Sequence, residues 1–260
     1  MESEEYVKMY ELEDSHWWFL GKRKIAQKMI SKYMTGPSHG PILDVGCGTG
    51  GMMTVLQQYG DAFGLDICST GLEFACERGF DCLSQASVLS LPFADDTFAL
   101  ITSFDVLYHE SVGNDLSALK EFHRICRPGG ILLITDSALP ILQSQHDQAY
   151  HASRRYTAGV LRDKVTQAGF RILKLSYASS LLFPIILAVR LWKRYAYHNG
   201  SPSSDLWALP PTLNSILYSV YSLEASLLPY INLPLGSSVI CVARKEPAAL
   251  ETAIYGNAER

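Results

Sequence analysis

Residues 41–51 read Pro41-Ile42-Leu43-Asp44-Val45-Gly46-Cys47-Gly48-Thr49-Gly50-Gly51, a short apolar run that ends in a carboxylate and breaks into alternating glycines. The pattern predicts a strand over 42–46 running into a tight turn. Gly46, Gly48 and Gly50 have no Cβ, so the turn can take positive φ angles and let a ligand lie against bare backbone. Two ligand classes use such a loop. Gly46, Gly48 and Gly51 also spell G-x-G-x-x-G, with Asp66 twenty positions after Gly46, which is the dinucleotide-binding spacing. Charge separates the two. A pyrophosphate wants a helix N-terminus without a competing carboxylate, whereas Asp44, two residues before the first glycine, suits a cationic ligand in a site of low dielectric.

Outward from this turn, strands alternate with helices. Strands are predicted at 62–66, about 80–84, 98–103, 130–135, near 170–177 and at 238–244; helices are predicted at about 50–59, 69–78, 114–126 and near 157–168. This alternation means right-handed crossovers and a doubly wound, mostly parallel α/β sheet. The run Ile131-Leu132-Leu133-Ile134 fits a strand buried on both faces. Ligands of such sheets lie beyond the carboxyl ends of the strands, where Asp44, Asp66, Ser87 and Phe104 fall. Residues 1–20 are acidic and then aromatic, and 21–35 place Ile25, Met29, Ile30 and Tyr33 on one helical face. Gly36-Pro37-Ser38-His39-Gly40 ends that helix. Almost sixty residues interrupt the pattern before the last strand. The expected organisation is an N-terminal aromatic lid and helix (1–35), a core (36–178 and 236–246), a helical cap insertion (179–235) and a loose tail (247–260).

At 260 residues and 48% hydrophobic content, the chain has the size of one α/β domain with an appendage. A net charge of −4 and a pI near 6.0 disfavour a nucleic-acid partner. The six scattered cysteines read as reduced, buried apolar residues, and the acidic N-terminus lacks the basic and apolar regions of a signal peptide, so a cytoplasmic protein is expected. Spaced C-x-x-C pairs are missing and no metal is expected.

Five motifs then carry a resemblance. They are Leu43 to Gly50, Gly64-Leu65-Asp66-Ile67, Leu91-Pro92-Phe93 with Asp95-Asp96-Thr97-Phe98, Ser103-Phe104-Asp105-Val106-Leu107-Tyr108-His109, and Arg127-Pro128-Gly129-Gly130. From Ile42 to about Arg244 the chain resembles the class I S-adenosylmethionine-dependent methyltransferases, of the broad type 11 group that includes quinone-biosynthesis methyltransferases. The resemblance implies a seven-stranded sheet with an antiparallel last strand, and S-adenosylmethionine as cofactor. The sulfonium and ammonium of that molecule match Asp44. It implies that Asp66 grips both ribose hydroxyls, two acceptor oxygens against two vicinal donors, and that Gly46, Cys47, Gly48, Ile67 and Phe104 line the cofactor. One departure stands out: where many relatives have an acidic residue before Leu-Pro-Phe, this chain has Ser87, leaving a hydroxyl, the Val88 backbone and apolar packing to hold adenine.

His109, on the rim where the methyl group is expected, is the candidate general base, since imidazole titrates near neutrality; the competing reading is a helix-start histidine bonded to backbone. Asp105 is expected to shape the loop. His16-Trp17-Trp18-Phe19 reads either as a lid that excludes water or as a helix stapled down by its tryptophans. Lys22-Arg23-Lys24 follows, and Arg23 could meet a cofactor or substrate carboxylate. Tyr108, with a later collar of His146, Tyr150, His151, Arg154, Arg155 and Tyr156, is expected at the acceptor end. Neither apolar run of the insertion reaches about eighteen uninterrupted residues, so it cannot span a membrane; it could pack on the sheet, line a lipophilic pocket, or touch a membrane surface beside Arg190, Lys193 and Arg194. The resulting reading is a methyltransferase acting on a small, lipophilic or natural-product-like acceptor. An NAD(P)-dependent oxidoreductase and a non-catalytic cofactor-binding module are the alternatives.

Overall fold

The computed structural model describes residues 3–34, 40–143, 147, 150–196 and 207–247; the expected helix stop at 36–39, His146 and the tail from 248 onward lie outside the described residues. In chain order the elements are α1 (Ser3–Leu12), α2 (Trp17–Tyr33), β1 (Ile42–Val45), α3 (Met53–Leu56), β2 (Ala62–Asp66), α4 (Ser69–Glu77), β3 (Leu83–Gln85), β4 (Phe98–Phe104), α5 (Asp115–Ile125), β5 (Cys126–Ser137), α6 (Ala158–Gln167), β6 (Phe170–Ala178), α7 (Phe183–Ala196), α8 (Pro211–Leu227) and β7 (Ser238–Lys245). The seven strands form one sheet in the order β3-β2-β1-β4-β5-β7-β6. β1 pairs in parallel with β2 and β4, and β7 runs antiparallel between β5 and β6. The doubly wound sheet with an antiparallel last strand is therefore as the sequence predicts.

Strand alternation sorts the core into two layers. Leu43, Val45, Ile101, Leu132 and Ile134 face the layer built with α5 and α6, where Leu119, Phe122, Leu161 and Val165 are buried. Ile42, Leu100, Ile131, Leu133, Ile240 and Val242 face the other layer, with Ile25, Met29 and Ile30 of α2 and Tyr221 and Ala225 of α8. Asp44 and Thr102 share the parity of Ile42 and Leu100. Their side chains meet there, Thr102 Oγ1 donating to Asp44 Oδ1 over 2.7 Å. Buried alternation thus carries a carboxylate to the end of β1 on the α2 side.

Local signals set the helix ends. Asn114 caps α5, accepting from the Ser117 N–H over 3.1 Å, and Thr157 caps α6, accepting from the Val160 N–H over 3.3 Å. Gly21 brings α2 against α8: a Cβ there would lie 1.7 Å from Cδ1 of Tyr221. Only a glycine permits that approach.

Three expectations change. The helix at 50–59 shrinks to the single turn of α3, because Gly50 takes φ +83° and the backbone turns before it can wind. β5 begins four residues early at Cys126, with a register irregularity between Phe98 and Leu100 of its partner that absorbs Pro128-Gly129-Gly130. Of the six free cysteines, Cys47, Cys126 and Cys241 are buried as expected, but Cys76 and Cys82 are exposed. Among the described residues no helix is long and apolar enough to cross a membrane.

Candidate functional site

A cavity of about 940 Å³ opens beyond the carboxyl ends of β1, β2 and β4 and reaches under α7 and α8. That volume is near the top of the roughly 300–1,000 Å³ typical of small-molecule sites, which leaves room for two molecules side by side. One end is acidic. Asp44, Asp66 and Glu13 line it, with Gly46, Cys47, Gly48, Ile67, Ser87, Val88 and Phe104 around them. Every residue expected from the sequence to line the cofactor is thus brought to one wall.

The glycine turn closes on its own backbone. The Gly46 and Cys47 N–H groups donate to Leu65 O over 2.7 and 3.0 Å, and the Gly48 N–H donates to Asp66 Oδ2 over 2.9 Å. A diphosphate would need those donors, and they are spent. Gly46 takes φ +73° with a virtual Cβ only 2.3 Å from Val106 Cγ2, so the turn admits no side chain. Burial pushes the Asp44 carboxyl up to about 7 against the Thr102 hydrogen bond, and burial likewise raises Glu13, opposed by the Thr49 hydroxyl, Arg78 and Arg23. A cation placed here recovers the ionised form of both carboxylates. The donor set therefore fits a sulfonium-and-ammonium cofactor and fits a dinucleotide poorly.

Asp66 combines two roles. Its Oδ1 also accepts the Cys68 N–H at the start of α4 over 2.9 Å and the Tyr6 hydroxyl over 3.4 Å. Ser87 serves its own turn, Oγ accepting from the Leu89 N–H over 3.2 Å.

α1 and the residues after it cover this end. Tyr6 and Met9 line the cavity, the Thr49 hydroxyl donates to Glu13, and Arg78 pairs with Glu13 at 2.8 Å. Sequence reasoning missed this helix, Tyr6 and Glu13; the signal lay in the acidic start of the chain. Arg23 lines the cavity, but its guanidinium donates to the Glu13 carbonyl, Gly51 O and Asp14. It braces α2 to the glycine turn while remaining on the cavity wall.

Trp17, Trp18 and Phe19 line the other half, facing Leu182, Ile186 and Val189 of the cap. They also staple α2 to α8: Trp17 and Trp18 each lie 5.8 Å, ring to ring, from Tyr221, and the Trp17 N–H donates to Asn214 Oδ1 over 2.9 Å. The same side chains thus line the cavity and fasten α2 to α8. Tyr108 and His109 complete the rim.

His109 lies on the rim, where its Nδ1 accepts the Ser111 N–H over 3.1 Å and lies 2.8 Å from the Ser111 hydroxyl, the local backbone contact that the competing reading expects. Burial, with His151, pushes its pKa down to about 4. His151 and Tyr156 are not brought to the cavity. His151 pairs with Glu110 at 2.9 Å, and Tyr156, 1% exposed, donates to Asp115 Oδ2 and Leu107 O inside the core. Of the collar, Arg155 and Tyr150 reach the cavity wall.

Residues 43–134 match the family model described as a methyltransferase domain. Among curated relatives, "Probable tRNA methyltransferase 9B" of Homo sapiens is 38% identical over 36% of this chain and 20% of its own length. Demethylmenaquinone methyltransferase of Anoxybacillus flavithermus is 33% identical over 52% and 60%, and phosphoethanolamine N-methyltransferase of Plasmodium falciparum 29% over 60% and 61%. The chain spans less than two thirds of each of these relatives. Among solved structures, Haemonchus contortus phosphoethanolamine N-methyltransferase 2, in complex with its phosphorylated substrate and S-adenosylhomocysteine, aligns with a TM-score of 0.57 at 15% identity over 87% of this chain and 53% of that one. The [4+2]-cyclase SpnF aligns with a TM-score of 0.56 at 19% identity over 86% and 80%.

Proposed function

We propose that this chain, which matches the methyltransferase-domain model over residues 43–134 and carries a seven-stranded sheet with an antiparallel last strand, transfers a methyl group from S-adenosylmethionine to a small, lipophilic acceptor. The observation that carries the reading is the single cavity whose acidic end meets the glycine turn and whose other end is walled by Trp17, Trp18, Leu182, Ile186 and Val189. Asp66 is assigned to the ribose, Asp44 to the positive charge, and Ser87 and Val88 to the adenine. Bound there, the cofactor supplies an electrophilic methyl group on sulfur. The chain's own contribution is to hold an acceptor in line with that methyl and to keep water out, with the aromatic residues of α2 and the cap helices as walls.

The relatives' names span a tRNA, a quinone precursor and a phosphorylated amine, and the cyclase shows that the sheet alone does not fix the chemistry. The apolar wall and the net charge of −4 favour the small lipophilic molecule. Calorimetry with S-adenosylmethionine, S-adenosylhomocysteine, NAD and NADP, followed by transfer of a labelled methyl group to a panel of lipophilic acceptors, tests the reading. Binding of the sulfur nucleosides with transfer is expected. Binding of NAD or NADP alone would overturn it in favour of an oxidoreductase, and cofactor binding with no transfer across the panel would favour a non-catalytic module.

A further inference from the structure

The acceptor end of the cavity contains charged groups that the cofactor assignment does not use, and Lys22 is the one set against the aromatic segment. Lys22, on α2, is 9% exposed and lies on the cavity wall, with its ammonium 4.9 Å from the centre of the Trp18 ring and ion-paired to Asp105. Asp105 directly follows β4 and is held at φ +56°, its N–H donating to Thr135 O over 2.9 Å. A non-glycine residue in that conformation is set by its surroundings, and here it aims a carboxylate back at α2. The pair therefore joins the aromatic segment to the end of the strand nearest the expected methyl position.

This arrangement bears on what the acceptor can be. An aromatic face and a carboxylate are the two features that recognise an amine or quaternary ammonium group. Both are present at this point, and both are engaged by Lys22. A cationic acceptor would have to sit beside a like charge in a buried site. An acidic oxygen meets the opposite situation, an ammonium donor already desolvated and oriented. Ser237 on the cavity and Thr135 in a small pocket beside Lys22 each carry a buried hydroxyl oxygen without a partner behind the cavity wall. Arg155 and Arg190 also reach the wall, and each is paired to Asp147, at 2.6 and 3.4 Å.

We infer that the acceptor is an amphipathic oxygen acid, a phenol, enol or carboxylic acid, which seats its ionisable oxygen on Lys22 and its apolar body between the α2 aromatics and the cap helices, and that amines are excluded. The inference rests on the methyltransferase reading and names the substrate class for it. Burial pushes the Lys22 ammonium down, opposed by Asp136 and by the ion pair with Asp105.

The test uses the full chain saturated with S-adenosylhomocysteine and three probes with one apolar body, 4-hexylbenzoate, 4-hexylphenol and 4-hexylbenzylamine, titrated at pH 6 by calorimetry. At pH 6 the benzoate and the phenol are expected to bind at least about tenfold more tightly than the amine. Lys22→Met should erase that preference, Lys22→Arg should retain it, and both should leave the S-adenosylhomocysteine dissociation constant within about twofold. The assignment is overturned if the amine binds as tightly as the acids. It is equally overturned if Lys22→Met leaves the acids' affinity unchanged, or, should that variant not fold, if Lys22→Gln leaves it unchanged. Failure of wild-type protein to bind S-adenosylhomocysteine is a separate result that removes the methyltransferase reading itself.

Discussion

Asp44 and Asp66 end neighbouring strands and line the same cavity, yet their surroundings give them different work. Asp66 holds three donors, the Gly48 and Cys68 N–H groups and the Tyr6 hydroxyl, and so remains a fixed acceptor. Asp66→Ala is expected to weaken S-adenosylhomocysteine binding by about 1 to 3 kcal/mol, through loss of charge-assisted bonds to two hydroxyls. Asp66→Asn, which keeps one acceptor oxygen and the turn's shape, should fall between. An unchanged dissociation constant by calorimetry would remove Asp66 from the site. Asp44 has a single short bond, from Thr102, and burial raises it to about 7. A bound cation favours its ionised form, so cofactor affinity should rise with pH through about 7 and then level off, with a proton released on binding below that pH. Titrations in buffers of different ionisation enthalpy measure that proton directly. A heat independent of buffer at pH 6 would show that Asp44 does not sense the cofactor. His109 shows what geometry adds to residue type: its place on the rim was legible from the sequence, whereas the Ser111 N–H and hydroxyl on its Nδ1 were not.

The strands were legible because both faces are buried, and continuous runs such as Leu43-Asp44-Val45 and Ile131 to Ile134 leave little choice of element. Elements whose role comes from docking were not. The sequence of α1, Ser-Glu-Glu-Tyr-Val-Lys-Met-Tyr-Glu-Leu, gives only a weak apolar face, and nothing local announces that Tyr6 and Met9 close over the glycine turn. α1 is anchored by point contacts: Tyr10 stacked 4.5 Å from Phe74, the Tyr6 hydroxyl donating to Asp66 Oδ1 over 3.4 Å, the Tyr150 hydroxyl donating to Glu5 over 3.3 Å, and the Glu13–Arg78 pair at 2.8 Å after its end. Such an element opens more easily than the sheet it covers. Deleting residues 1–13 is therefore expected to raise the S-adenosylhomocysteine dissociation rate by about tenfold or more while the sheet still folds. Stopped-flow fluorescence of Trp17 and Trp18 reads the rate, and far-ultraviolet circular dichroism reads the fold. An unchanged rate in a folded protein would make α1 a bystander. The insertion was legible as apolar helices, and its function as a wall follows from Gly21 and Tyr221, a contact between residues two hundred positions apart that no local pattern encodes.

At the scale of the whole molecule, the site gathers buried charges of both signs on one cavity. Asp44 and Asp136 are both pushed up to about 7 by burial, Asp136 despite N–H bonds from Ser137 and Leu107, and Lys22 is pushed down to about 7. The signs differ in consequence. A carboxyl raised from 3.8 to about 7 binds more protons in the folded state across that window, so its contribution to stability is present at low pH and is lost as pH rises to about 7. A lysine lowered from 10.5 to about 7 binds more protons in the unfolded state above 7, so stability returns as pH rises from about 7 towards 10.5. Each proton contributes a slope of about 1.4 kcal/mol per pH unit. The carboxyls of Asp14, Asp115 and Glu121 are held down and have the opposite sign, losing stability on acidification, so the ligand-free profile is not set by these three groups alone. The cofactor isolates the Asp44 contribution: S-adenosylmethionine gives Asp44 a cation to face and should stabilise the protein more at pH 7 than at pH 5. Urea unfolding at pH 5 and pH 7, with and without the cofactor, measures that difference. Equal stabilisation at both pH values would show that Asp44 does not sense the cofactor, and the electrostatic account of the cofactor end would fall with it.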